Sequence, residues 1–219
     1  MPGWHIVDSS IRKGAGFARN IGVASTTAPI LLFCDADDVA APGWMQAMYN
    51  ALRIDSFVAG RFDGTLLNFP KTQRSRPLDQ QTGLQYSPFG SDLPHAGASN
   101  LGVWAYYFRI VGGFDPDITC LEDTDFCWRV QQQNRIRLRF VPNAVMNIRL
   151  RSSLRDMWAQ GTAYGAAAAL LAERHERPWR PETEPIKGKS DTIRKLLTSP
   201  SLGALIWSLG WHVGHRKGN

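Results

Sequence analysis

Apolar positions in this chain come in short blocks separated by polar, glycine-rich joints. Ile30 to Cys34 is an apolar run with no helical period, as expected of a strand buried on both faces. Phe57-Val58-Ala59-Gly60 repeats that signature, and His5-Ile6-Val7-Asp8, Arg137 to Pro142 and Val145 to Leu150 read as further strands. Between them the period changes. Phe17 to Ser25 reads as a helix, Trp44, Met45, Met48 and Leu52 recur at helical spacing, and Trp104 to Val111 and the stretch from Glu122 are helical. Ser152-Ser153 supplies an N-cap for a long helix running to about Glu173. Strands alternating with helices predict an α/β fold, a mixed sheet flanked by helices.

Two regions break the alternation. From Asn68 to Pro94 the chain is polar, carries four prolines and has no clear period, so it reads as a surface excursion of the kind that serves as a substrate loop. Residues 176–191, rich in Pro, Glu and Lys, read as a linker. The division expected is therefore a domain over residues 1–175, that linker, and an amphipathic helical tail over 192–219. The tail suits a helix docked on the domain, or one lying at a membrane surface.

Composition narrows the class without choosing a function. The 219 residues suffice for one domain with an appendage, and 43% apolar with 20% charged is ordinary for a soluble globular protein. The net charge of +6 favours anionic partners such as phosphorylated substrates, nucleic acid or an acidic membrane. Cys34, Cys120 and Cys127 lack paired spacing and read as reduced thiols of a cytosolic protein. The first residues have neither a charged nor an apolar signal region, and no stretch reaches membrane-spanning length.

The chemistry concentrates where Ile30–Cys34 ends. Asp35, Asp37 and Asp38 follow that strand at once, and three carboxylates at the end of a buried strand repel one another and call for a cation. Taken alone, an Asp-x-Asp is more often a solvated turn. A second acidic group, Glu122-Asp123-Thr124-Asp125, opens a helix, where carboxylates also act simply as caps. Asp125 and Arg129 stand four apart and are expected to pair on the surface or hold a loop. Asp123 shares a face with Phe126 and points toward the sheet. Ala96 to Gly102 is small and polar, which suits close approach of a ligand to backbone, with Asn100 a candidate for the pocket wall.

Four motifs in register resemble the inverting glycosyltransferases of family 2, which have the GT-A fold. They are Gly14-Ala15-Gly16-Phe17-Ala18-Arg19-Asn20-Ile21-Gly22, then Ile30 to Asp38, then Gly112-Gly113-Phe114-Asp115, then Glu122 to Arg129. The resemblance spans roughly residues 5 to 175, and four motifs in order are far more specific than any one. It implies that Asp37, with Asp35, holds Mg²⁺ or Mn²⁺ against the diphosphate of a nucleotide-sugar. It implies that Asp123 is the general base that takes the acceptor proton. Asp8, Arg12, Arg19, Asp35, Asp37 and Asn100 become candidate donor-binding residues, with Glu122, Asp125 and Arg129 in support. The acceptor is left open among glycan, lipid-linked and small-molecule hydroxyls.

The chain departs from that pattern in three places. The family's first strand–helix unit has no counterpart, so the domain is expected to be N-terminally truncated, with Asp8 nearest to the carboxylate of the family's second strand. Where some relatives place a histidine that can join the metal, the match here is near Asn147. The Gln-x-x-Arg-Trp signature of processive synthases is absent, which points to transfer of a single sugar. The expected protein is thus cytoplasmic or peripheral at the inner face of the membrane. The alternative is a glycosyltransferase-like binding module without catalysis. A nucleic-acid partner is not expected, because no basic cluster is interleaved with aromatics.

Overall fold

The computed structural model describes residues 5–75, 78–175 and 201–218. The linker expected over 176–191 and the start of the tail lie outside the described residues. Five strands form one sheet: β1 (Ile30–Phe33), β2 (Val39–Ala40), β3 (Phe57–Asp63), β4 (Leu101–Trp104) and β5 (Arg139–Asn147). Their spatial order is β1-β4-β3-β5-β2, with β3 and β5 parallel and the other neighbours antiparallel. The sheet is mixed, as the sequence predicts.

Side-chain alternation along β3 sorts the core into two layers. Phe57 and Ala59 face a cluster with Phe33, Leu101, Val103, Phe108, Phe114 and Phe126. Val58 and Phe62 face the other side, against Trp44, Met48 and Leu52. Those last three are one stripe of helix α2 (Trp44–Leu52), and all are buried. Burying each large apolar side chain contributes roughly 1.5–3 kcal/mol, so this stripe, rather than helix propensity, holds α2 in place. On the opposite face sit α4 (Ala105–Ile110) and α5 (Glu122–Asn134), whose Phe126 stacks with Phe114 at 4.6 Å between ring centres.

Several local expectations are corrected. Residues 5–8 form no strand, and Asp8 is exposed there, bonded to Ser10. The two strands expected at 137–142 and 145–150 are a single β5, interrupted where Gly60 pairs Val141 and Arg61 pairs Val145. Pro142 and its neighbours leave the ladder there, since proline has no N–H to donate. Leu101–Trp104, expected as loop and helix start, is the interior strand β4, between β1 and β3. The polar excursion holds one short helix, α3 (Pro70–Ser75), and a bridge between Gln85 and His95.

The chain enters the sheet through α1 (Ala15–Ala24), after Gly14 at φ 130°. At the other end, α6 (Leu154–Arg174) starts where the Ser153 hydroxyl accepts from the Asp156 amide at 3.1 Å. Helix α7 (Leu202–Gly218) packs along α6. Gly161 and Gly165 on α6 face the α7 backbone, and Gly210 and Gly214 on α7 face the α6 backbone, so closely that a Cβ at any of them would collide with main chain.

Candidate functional site

β1 ends at Phe33, and the next turn closes through the Asp38 amide, which donates to the Asp35 carbonyl. This places Asp35, Asp37 and Asp38 on one rim of a cavity of about 260 Å³. The floor comes from Gly97, Ala98 and Ser99, and Asp123 and Thr124 enter from the first turn of α5. Arg149 and Arg151, after β5, and Gln160 and Tyr164, on α6, complete the wall. Two acidic motifs nearly ninety positions apart in sequence, on β1 and α5, therefore share one cavity.

Arg19 bridges the two motifs from behind. Its guanidinium donates to Asp35 Oδ1 at 2.6 Å and to Glu122 Oε1 at 2.7 Å. Burial works against the charge of Arg19, but Asp35, Asp123 and Glu122 outweigh it and hold its pKa above the usual value. Burial, then the charge of Asp123, pushes the Glu122 carboxyl up to about 7 despite Arg19. Burial, with Asp35 and Asp37 adding to it, pushes Asp38 up to about 6, even though the Arg149 amide donates to it at 2.9 Å.

Asp123 is held by backbone. Oδ2 accepts from the Ala98 amide at 3.0 Å and Oδ1 from its neighbour Thr124's amide at 2.8 Å. The residue before this turn, Leu121, adopts φ 62°. For a residue with a branched side chain that costs on the order of 1 kcal/mol, and such strain recurs where a site must be aimed. The turn survives because its surroundings fix it. Asn20 donates to the Phe114 carbonyl at 2.7 Å and accepts from the Phe114 amide at 2.9 Å, while Arg129 donates to the Val111 and Gly113 carbonyls. Gly113, at φ 72°, lies where a Cβ would strike the Asn20 side chain.

The other candidates separate into frame and periphery. Asp125 is fully buried, pairs with Arg129 at 2.7 Å and with His175 at 3.1 Å, and so holds the Gly112-Gly113 loop from inside the core instead of at the surface. Asn100 is corrected outright. It is buried, accepts from Trp44 Nε1 at 2.7 Å and donates to the Arg61 and Ala144 carbonyls at 3.0 Å, which uses its amide within the core. Arg12 pairs with Asp117 at 2.7 Å, and neither it nor Asp8 lines the cavity. Asn147 donates to the Val39 carbonyl within the sheet. The sequence reading missed His95, which lines the cavity, and Gln80, which accepts from the Gly97 amide at 2.9 Å. Gln80 sits in the aperiodic excursion and His95 just after it, and neither carries a local signal.

Comparison with known proteins now decides the family. The model of glycosyl transferase family 2 matches residues 1–111, half of the chain. The chain belongs to glycosyl transferase family 2. That match takes in β1 and its aspartates and ends before α5. The pre-mycofactocin glycosyltransferase of Mycobacterium tuberculosis is 32% identical over 178 residues, in strain H37Rv as in strain CDC 1551. The aligned region is 74% of this chain, which spans only 36% of the length of those curated relatives. Among solved structures, a mannosyltransferase from Pyrobaculum calidifontis, in complex with GDP-Man and Mn²⁺, superposes with a TM-score of 0.51 at 13% identity. It covers 91% of this chain and 54% of its own. At that identity the likeness speaks to the fold, which is of the GT-A type.

The family implies a divalent metal, and the donor set can be tested for it. Among the described residues no three His, Cys, Asp or Glu side chains are arranged to hold an ion. Two carboxylates on an open rim still suit Mg²⁺ or Mn²⁺, hard ions that complete their shells with water and phosphate oxygens. Asp35 has given one oxygen to Arg19, and Asp37 is exposed on the rim. The residues fit an ion that arrives with its own phosphate ligands.

Proposed function

We propose that this domain transfers a single sugar from a nucleoside-diphosphate donor to an acceptor hydroxyl, with inversion at the anomeric carbon. The observation that supports it best is the meeting of Asp35, Asp37 and Asp38 with Asp123 in one cavity. Asp35 and Asp37 are the residues that would hold Mg²⁺ or Mn²⁺, which when bound supplies positive charge to the departing diphosphate. Arg19 keeps the Asp35 carboxylate oriented from behind. Asp123 accepts the proton of the attacking hydroxyl. Its two amide donors fix the carboxylate plane before substrate arrives, which lowers the reorganisation needed in the transition state.

The relatives support the donor class. The Pyrobaculum mannosyltransferase was solved with GDP-Man and Mn²⁺, and the mycobacterial relative is named a glycosyltransferase. The acceptor side is the wall formed by Arg149, Arg151, Gln160 and Tyr164, together with Leu78 and Phe62. The domain boundary near residue 175 belongs to the same proposal, with 192–219 as an appended tail.

Calorimetric titration with UDP and GDP, with and without Mn²⁺, is the test. Metal-dependent binding that Asp37→Asn removes supports the reading. A well-folded chain that binds neither nucleotide would overturn it and favour the binding-module alternative.

A further inference from the structure

His95 occupies a place that neither the metal nor the base accounts for. Its backbone bridges Gln85, through hydrogen bonds of 2.8 and 3.0 Å, and its ring runs between two hydroxyls. Nε2 lies 2.8 Å from Ser87 Oγ, and Nδ1 lies 3.2 Å from Thr124 Oγ1. Burial pushes the imidazole down to about 4, so the ring is neutral at ordinary pH. A neutral imidazole has one donor and one acceptor, and a hydroxyl can serve as either, so both hydrogen bonds are satisfied at once. The ring edge also packs against Trp128, at 6.0 Å between centroids.

Those partners matter because of what lies beside them. Two backbone amides, those of Ala98 and Thr124, hold the Asp123 carboxylate. Ala98 follows His95 by three residues on the cavity floor, and Thr124 is the residue His95 grips. The ring is therefore the tie to the first turn of α5, while Cys127, Trp128 and Gln131 join later turns of that helix to the carbonyls of Ala96, Leu93 and Pro94. Gln80 secures the same floor from the other side, accepting from the Gly97 amide and donating to the Gly60 carbonyl at 2.8 Å.

We propose that His95 is a positioning residue for Asp123, acting through its Nδ1 contact with the Thr124 hydroxyl to fix the first turn of α5 against the Ala96–Ala98 floor. The proposal rests on Asp123 being the base of a sugar transfer. The rival role for the ring is simple packing against Trp128, and the two roles separate by substitution. An asparagine amide falls near the place of Nδ1 and keeps the Thr124 contact. A glutamine amide falls near Nε2 and keeps only the Ser87 contact.

The experiment compares His95→Asn, His95→Gln and Thr124→Val in the full chain. It reads sugar transfer with Mn²⁺ present and, separately, amide hydrogen exchange at Ala98 and Thr124. His95→Gln and Thr124→Val are expected to lower kcat by about 100-fold with donor KM nearly unchanged, the scale on which small misplacements act. In those two variants exchange at Ala98 and Thr124 should quicken by about tenfold relative to amides elsewhere in α5, and His95→Asn should restore both readouts. Equal losses in the Asn and Gln variants, or unchanged exchange in His95→Gln, would overturn the proposal. A wild-type chain that transfers no sugar would refute the activity reading, and the exchange pattern alone would then decide whether His95 orders the carboxylate.

Discussion

The two acidic groups of this chain have nearly the same composition and opposite surroundings. Asp35, Asp37 and Asp38 sit on a turn at the rim, with Asp37 exposed and Arg19 compensating Asp35 alone. Glu122, Asp123 and Asp125 sit in the first turn of α5, where each carboxylate has a different neighbour: Arg19, two backbone amides, or Arg129 with His175. The rim group lines the cavity from its open side, with Asp37 exposed. The helix group distributes its charge, so that two of its carboxylates brace the frame and the third, Asp123, lines the cavity. Equal counts of carboxylate thus describe an open rim in one case and a set of carboxylates with separate partners in the other.

That contrast can be broken residue by residue, starting with the largest effect. Asp123→Asn should lower kcat by about 10²–10⁴-fold, as loss of a general base does, with nucleotide binding by calorimetry nearly unchanged. A comparable fall in nucleotide affinity would place Asp123 in the rim's role. Arg129→Ala should strip buried Asp125 of its arginine partner, leaving His175, and cost about 3–5 kcal/mol in urea unfolding. An unchanged midpoint would remove Asp125 and Arg129 from the frame. Asp37→Asn should weaken Mn²⁺-dependent nucleotide binding by about 100-fold and leave the unfolding midpoint where it was, because an exposed rim carboxylate contributes to binding and little to stability.

The smallest effect concerns Glu122 and pH. A carboxyl raised to about 7 in the folded chain contributes stability below its unfolded value near 4.5, and loses that contribution as pH rises through about 7. Wild-type stability should therefore fall relative to Glu122→Gln between pH 5 and pH 8, by on the order of 2 kcal/mol. Parallel melting curves for the two proteins across that range would show that Arg19 keeps Glu122 ionised throughout.

What could be read from the sequence followed from locality. Ile30–Phe33, α2 and the acidic start of α5 carry their signals within a few residues, and each forms where its pattern predicts. Leu101–Trp104 is an interior strand that reads as loop, because Gly102 must be small beneath Leu52 and Val58, and only the assembled sheet reveals that crowding. Asn100 looks like a pocket residue beside small neighbours, yet its partners Trp44 and Ala144 are distant in sequence. His95 and Gln80 derive their meaning wholly from what folds against them. Gly112-Gly113-Phe114-Asp115 was recognisable as a motif, but its work as a clamp seat for Asn20 and Arg129 became visible only in three dimensions.

The glycine-faced pairing of α6 and α7 has a mechanical consequence. Helices whose main chains touch along a stripe have no side-chain cushion between them, so sliding or rolling one past the other meets hard repulsion almost at once. Gln160 and Tyr164 each precede a glycine of that stripe on α6 and line the cavity beside it. Helix α7, none of whose described residues lines the cavity, thus backs the α6 wall with main chain against main chain.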